Sequence, residues 1–92
     1  MAKFVLELAF DRNNTERLQL RPKHRDHLQL LVAQGKLVMA GPWKDDSGAL
    51  LVFDVADERE MNDILARDPY GYNVLDAVSI VRLREWAPIL PA

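Results

Sequence analysis

The sequence contains no cysteine, only four glycines, and no apolar stretch long enough to cross a membrane. Without cysteine the chain cannot form a disulfide framework, a thiolate zinc site or a thiol nucleophile. Neither sign of charge dominates, because 12 basic and 14 acidic residues give a net charge of −2. That balance provides no basic stripe for nucleic acid. We therefore expect no nucleic-acid partner and no membrane association. We also recognise no signal peptide, so a cytoplasmic location is the default expectation.

The composition that remains is that of a small globular domain. Apolar residues make up 49% of the 92 residues and charged residues 28%, which is typical of folded rather than disordered chains. We expect one domain over residues 1–92, with a core over 3–83 and a C-terminal tail over 84–92. A domain of this size buries only about two-thirds of its unfolded surface, so a partner subunit would add stability.

Alternating apolar residues predict four strands, over residues 3–10, 37–40, 49–55 and 74–83. Gly41 and Pro42 close the second strand, and Pro42 cannot donate to a ladder, so this end lies at a sheet edge or leaves the sheet. The fourth strand is predicted to place Leu75, Ala77, Ser79, Val81 and Leu83 on one face.

Two helices are predicted between these strands. After one turn at residues 15–18, Arg21-Pro22 begins the main helix, because proline suits a first helical turn. This helix ends near Gln34, before a left-handed Gly35, and its core-facing positions are His24, Leu28, Leu31 and Val32. Asp57 caps the second helix, which ends near Asp68 because Pro69 disfavours helical geometry in the residue before it. Residues 69–73 are predicted to form a loop.

The element order is β-α-β-β-α-β, which predicts an α+β, ferredoxin-like fold with an antiparallel sheet. Strands one, three and four are apolar on both predicted faces apart from Glu7, Asp54 and Asp76. The helices cover one face, so the other needs a cover. A face-to-face homodimer of sheets provides one. The alternative is a monomer whose tail, too rich in proline for a helix, packs over the sheet.

His24 and Asp68 are the candidate catalytic residues. An imidazole exchanges protons near neutral pH and needs a partner on its second nitrogen, commonly a carboxylate. His24 begins the first predicted helix and Asp68 ends the second, and antiparallel helices would place both at the same end of the fold. Each also has a purely structural explanation, as a core histidine and as a helix stop.

Five further residues are candidates for lining a pocket: Arg21, Gly41, Pro42, Trp43 and Tyr70. Glycine lets a backbone approach a ligand and Trp43 could form a wall, whereas a plain turn explains the same residues. Arg21 could bind an anion or be a solvated cation, and Asp45-Asp46 fits a solvated loop tip. His24, His27 and Asp26 could suggest a metal site, but ligands on one helix without a clear third are weak evidence for one. No nucleotide-binding or flavin-binding motif is present. We expect no metal and no cofactor.

Several short motifs, taken in order, resemble the YciI-like (YCII-related) family over residues 3–83. They are Arg21-Pro22-Lys23-His24, Gly35-Lys36-Leu37, Ala40-Gly41-Pro42 and Asp68-Pro69-Tyr70. The resemblance implies a dimeric α+β barrel, in which two ferredoxin-like subunits pair their sheets. It also implies that His24 and Asp68 match the family's proposed active-site dyad. The chain departs from the family pattern in its short 43–48 loop and at Asn73.

These observations favour a small, cofactor-independent enzyme of the lyase or isomerase type. His24 would act as general acid or base and Asp68 would fix its tautomer. The reaction would be isomerisation or elimination on a small cyclic or phenolic acid. The alternatives are a non-catalytic dimer that binds a small ligand or a partner protein, and an assembly subunit without an open pocket at His24.

Overall fold

The structure is a computed structural model that describes residues 1–73 and 76–91, except for the side chains of Tyr72 and Asn73. The elements follow in chain order: β1 (Ala2–Phe10), α1 (Thr15–Ala33), β2 (Leu37–Pro42), β3 (Gly48–Val55), α2 (Glu58–Arg67), α3 (Pro69–Asn73) and β4 (Val78–Trp86).

The four strands form one antiparallel sheet in the order β2-β3-β1-β4. Two β-α-β units interleave in this order, which confirms the α+β, ferredoxin-like fold. β2 lies at an edge of the sheet, as the proline in its last position requires. The hairpin between β2 and β3 is short, so its tip stays close to the end of β1.

The core lies between the sheet and the helices. Alternation along β1 and β3 directs one set of side chains toward this layer, and apolar residues of the helices pack against them. The buried members from the strands are Phe4, Leu6, Leu8, Leu37, Ala49, Leu51, Phe53 and Val55, and those from α1 and α2 are Leu31, Met61 and Ile64. Alternate residues of β1 and β3 therefore form the buried face of the sheet.

The first helix is longer than predicted. It begins at Thr15 rather than at Arg21, because the side-chain oxygen of Asn14 accepts the backbone N–H of Arg17 and caps the helix there. Pro22 lies inside α1 rather than in its first turn. Proline removes one intrahelical hydrogen bond at that position. The helix ends as predicted, with Gly35 following it at φ +75°.

The C-terminal third differs from the prediction in two ways. Residues 69–73 form the short helix α3 rather than a loop. The last strand runs from Val78 to Trp86, so it extends past the predicted end at Leu83 into the segment 84–92 that we assigned to the tail. The predicted strand positions Val74 and Leu75 lie outside the described residues.

A bulge interrupts the pairing of β1 with β4. Glu7 pairs with Arg82, but Leu8 pairs with Ile80, so one residue of β4 is left between these pairs. The uniform alternation predicted for this strand is therefore wrong. After the bulge Arg82 pairs with Glu7 and Arg84 with Val5, so two arginines of β4 lie on the sheet face opposite the helices.

No described residue of the subunit forms a layer over the sheet face opposite the helices. Val5 and Val52 are half-buried on it, and Leu50 is 37% exposed. Residues 87–91 do not pack over this face, since Ile89 is 83% exposed. Residues 87–91 therefore do not fit the alternative of a monomer whose tail packs over the sheet. No described helix is long and apolar enough to cross a membrane.

Candidate active site

A cavity of about 370 Å³ lies between α1 and the β2–β3 side of the sheet. One wall comes from α1 and is largely polar. Its polar residues are Arg17, Arg21, His24, Arg25 and Gln29, and its apolar residues are Leu28 and Val32. The opposite wall is apolar and comes from the strands, with Phe10, Leu37, Ala40, Gly41, Pro42, Ala49 and Leu51. Asp46 of the hairpin and Tyr70 of α3 complete the lining.

His24 and Asp68 form a short polar contact at this cavity. His24 Nδ1 lies 2.8 Å from Asp68 Oδ1, and both side chains are largely buried. An ionised carboxylate can only accept, so the contact assigns the proton of neutral His24 to Nδ1. Nε2 then carries the lone pair, and no described residue bonds to it. This arrangement leaves one ring nitrogen free to exchange a proton with a bound molecule.

Local sequence fixes the position of Asp68. The Asp-Pro pair places a capping carboxylate and a first-turn proline at the start of α3. Asp68 Oδ1 accepts the backbone N–H of Tyr70 at 2.9 Å as well as the His24 contact. The residue that ends α2 thus also begins α3, and its side chain is held from two directions.

Tyr70 fixes the plane of the imidazole. The two rings stack with centroids 3.9 Å apart and an interplanar angle of 10°. The edge of Phe10 meets Tyr70 in a T-shaped contact, with centroids 6.0 Å apart. The imidazole is therefore constrained by packing on its face and by a carboxylate on its edge.

Arg17 is a buried cation at the same cavity. Its side chain is 1% exposed, and its guanidinium lies 4.5 Å from the centroid of the Phe10 ring. Nε donates to the carbonyl of Asp11 at 3.1 Å and Nη2 donates to Asp46 Oδ2 at 2.9 Å. These contacts connect α1, the β1–α1 turn and the β2–β3 hairpin.

Asp46 accepts from two arginines. Arg21 Nη2 donates to the same Oδ2 atom at 2.8 Å. The hydrogen bond from Arg17, together with the positive charges of Arg17 and Arg21, lowers the pKa of Asp46 below its ordinary value of 3.8. Asp46 has φ 57°, a left-handed conformation that aspartate tolerates better than most residues. The expectation that Asp46 belongs to a solvated loop tip is therefore wrong.

The sequence-predicted residues occupy different places around the cavity. Arg21, Gly41, Pro42 and Tyr70 line it. Trp43 is not among the described lining residues and its side chain is 43% exposed. His27 does not line it either, and the described residues contain no group of three or more potential metal ligands.

Sequence reasoning missed Arg17 and Arg25. The signal was present, because Arg17, Arg21 and His24 are spaced at i, i+4 and i+7, which places them on one helical face. Beginning the helix at Arg21 separated Arg17 from that face.

The fold and the site together define a small ferredoxin-like α+β domain with a histidine–carboxylate contact in a cavity beside the sheet. The model of the YCII-related domain family matches residues 3–87, so the chain belongs to this family. This confirms the family resemblance inferred from the short motifs. A comparison with curated proteins finds no match.

Among solved structures, the chain is similar to the 5-chloro-2-hydroxyhydroquinone dehydrochlorinase TftG from Burkholderia phenoliruptrix AC1100, determined in complex with 2,5-dihydroxybenzoquinone. The match has a TM-score of 0.68 and 20% sequence identity, and it covers 91% of this chain and 93% of that one. At this identity the likeness shows a shared fold.

Proposed function

We propose that this protein is a small cofactor-independent enzyme that moves protons on a small cyclic or phenolic acid, by isomerisation or elimination. His24 Nε2 would take a proton from carbon or oxygen of the substrate and return it. Asp68 would keep the neutral ring in the Nδ1-protonated tautomer and stabilise the imidazolium that forms. The observation that carries the proposal is the 2.8 Å contact between His24 Nδ1 and Asp68 Oδ1 at the wall of a cavity.

The shape of the cavity supports a flat substrate. Its sheet side is apolar, with Gly41 and Pro42 at the edge strand, and such a surface accepts a ring by burial of apolar area. Its volume of about 370 Å³ is that of a small-molecule site. The similar structure is a dehydrochlorinase bound to a hydroxylated quinone, which supports an elimination or an isomerisation on an oxygenated ring.

The proposal is tested by proton exchange. Wild-type protein is incubated in D₂O with cyclic 1,3-diones, which are monoanions at neutral pH, and loss of the exchangeable C–H signal is followed by ¹H NMR. A positioned acid–base group contributes about 10²–10⁴-fold to rate, so His24→Gln should lose most of the acceleration. His27→Gln is the matched control, because His27 belongs to the same helix but does not line the cavity.

Equal exchange rates in wild type and His24→Gln would contradict the catalytic role of His24. Tight ligand binding by wild type without acceleration would instead favour the non-catalytic binding module.

We also propose that the protein is a homodimer that pairs the open faces of two sheets. The open face carries Leu50, 37% exposed, beside the half-buried Val5 and Val52, and nothing within the described subunit covers it. Leu50→Glu should produce monomers in sedimentation-velocity experiments, because two carboxylates would be buried near each other. Leu18→Glu, at a helical leucine that is 40% exposed, should leave the dimer intact. A monomeric wild type would refute the proposal.

A further inference from the structure

The charges around the cavity are not balanced. Among the described residues that line it are three arginines and one aspartate, and Asp68 adds a second carboxylate behind His24. One positive charge therefore remains in excess when His24 is neutral.

Two of the arginines are already engaged. Arg17 and Arg21 both donate to Oδ2 of Asp46, at 2.9 Å and 2.8 Å. Arg17 is further committed to the carbonyl of Asp11 and to the Phe10 ring. These contacts bind the cationic pair into the fold before any ligand arrives.

Arg25 is in a different situation. It lines the cavity one helical turn after Arg21, and within the described part of the chain it makes no hydrogen bond or ion pair. It is also adjacent in sequence to His24, on the helix that presents the imidazole. Arg25 is an exposed residue, so its guanidinium faces both solvent and the cavity. A guanidinium without a partner is suited to a carboxylate or a phenolate.

We propose that Arg25 selects a monoanionic substrate in this cavity, by pairing with its carboxylate or phenolate while Asp46 neutralises the neighbouring arginines. The ring of such a substrate would lie against the sheet wall and its reactive position would face His24. Asp46 would be the second residue that sets the charge of the substrate. Without its negative charge the cavity would have an excess of two positive charges and would accept a dianion rather than a monoanion. The inference deepens the proposed function by naming the charge of the substrate and the residue that recognises it.

The test measures binding and does not require turnover, so its outcome is separate from that of the proton-exchange experiment. The probes are salicylate, its neutral analogue salicylamide, and the dianion phthalate at pH 7.5, with dissociation constants taken from NMR shift titrations at low salt. Wild type should bind salicylate more tightly than salicylamide. Added NaCl should reduce only the salicylate affinity, because the pairing is screened.

Arg25→Gln should weaken salicylate binding about twofold to fivefold, as expected for an exposed charge pair, and leave salicylamide unchanged. Arg59→Gln, at an exposed arginine of α2 outside the cavity lining, is the matched control and should change neither. Asp46→Asn should raise phthalate affinity about tenfold relative to salicylate, because Arg21 is released from its partner.

Equal affinity of wild type for salicylate and salicylamide, or no binding of either at millimolar concentration, would overturn the proposal. So would an Arg25→Gln protein that keeps the wild-type preference for the anion. Proton exchange without anion preference would overturn the role of Arg25 and leave that of His24 standing.

Discussion

Replacing Arg17 with methionine should destabilise the fold much more than replacing Arg21 with methionine. The Arg17 side chain is 1% exposed, whereas that of Arg21 is 30% exposed. Methionine at position 17 would restore some apolar contact with Phe10. It would leave the carbonyl of Asp11 with only the 3.3 Å bond from the backbone N–H of Asn14. It would also remove one of the two arginines that pair with Asp46.

The magnitude follows from the lost contacts. A hydrogen bond from a charged donor contributes about 1.5–3 kcal/mol, and a buried cation–π contact adds about 1–2 kcal/mol. We therefore expect Arg17→Met to lower the free energy of unfolding by about 3–4 kcal/mol. Arg21→Met should cost at most about 1 kcal/mol, because its pair with Asp46 is partly solvated. Asp46 keeps one arginine in either variant.

The assay is urea unfolding followed by circular dichroism at 25 °C and one fixed protein concentration, since stability of an oligomer depends on concentration. The m-value should be unchanged in both variants. Equal destabilisation by Arg17→Met and Arg21→Met, or a loss below about 1 kcal/mol for Arg17→Met, would refute the assignment of Arg17 as a buried structural cation.

Two other predictions concern the hairpin and its acid sensitivity. Gly48→Ala should prevent or strongly weaken folding, because a Cβ at that position would overlap the carbonyl of Leu8. Gly41→Ala is the control: its Cβ would meet no atom within 4 Å, so this variant should keep the wild-type melting temperature. Asp46 has a lowered pKa, so its contribution to stability is complete above its ordinary value of 3.8 and is lost as pH falls through the depressed value. The stability difference between wild type and Asp46→Asn, measured by urea unfolding, should therefore be constant at neutral pH and shrink below about pH 4.

A normal melting temperature for Gly48→Ala would show that β1 and β3 are spaced differently at this point. A wild-type advantage over Asp46→Asn that persists undiminished to pH 2 would contradict the assignment of Asp46 as the ionised partner of the two arginines.

The fold was predictable because local and long-range signals agree over most of the chain. Each of three local signals predicts one structure with few alternatives. They are the apolar alternation in β1 and β3, the helix cap at Asp57 and the left-handed Gly35 after α1. The contact between His24 and Asp68 was predicted as a pairing of residue types and is present. The reason given for it was wrong, because His24 lies in the middle of α1 rather than at its start.

The errors have physical causes. Pro22 alone does not show whether it lies in the first turn of a helix or inside the helix. The cap at Asn14 shows that the helix begins earlier and that Pro22 lies inside it. The bulge between β1 and β4 depends on pairing with another strand, which alternation within one strand does not report. The burial of Arg17 depends on Asp46, which is far away in sequence, so composition and spacing could not show that this arginine has a carboxylate partner.

The central claim is that Asp68 orients His24 for proton transfer, and the ring ¹⁵N chemical shifts of His24 test it most directly. They should be recorded at a pH where the ring is neutral, in wild type and in Asp68→Ser, since serine can still cap α3 but has a shorter side chain and no carboxylate to accept from Nδ1. The account predicts an Nδ1-protonated ring in wild type and a shift toward the Nε2-protonated tautomer in Asp68→Ser. An Nε2-protonated ring in wild type, or identical shifts in both proteins, would contradict it.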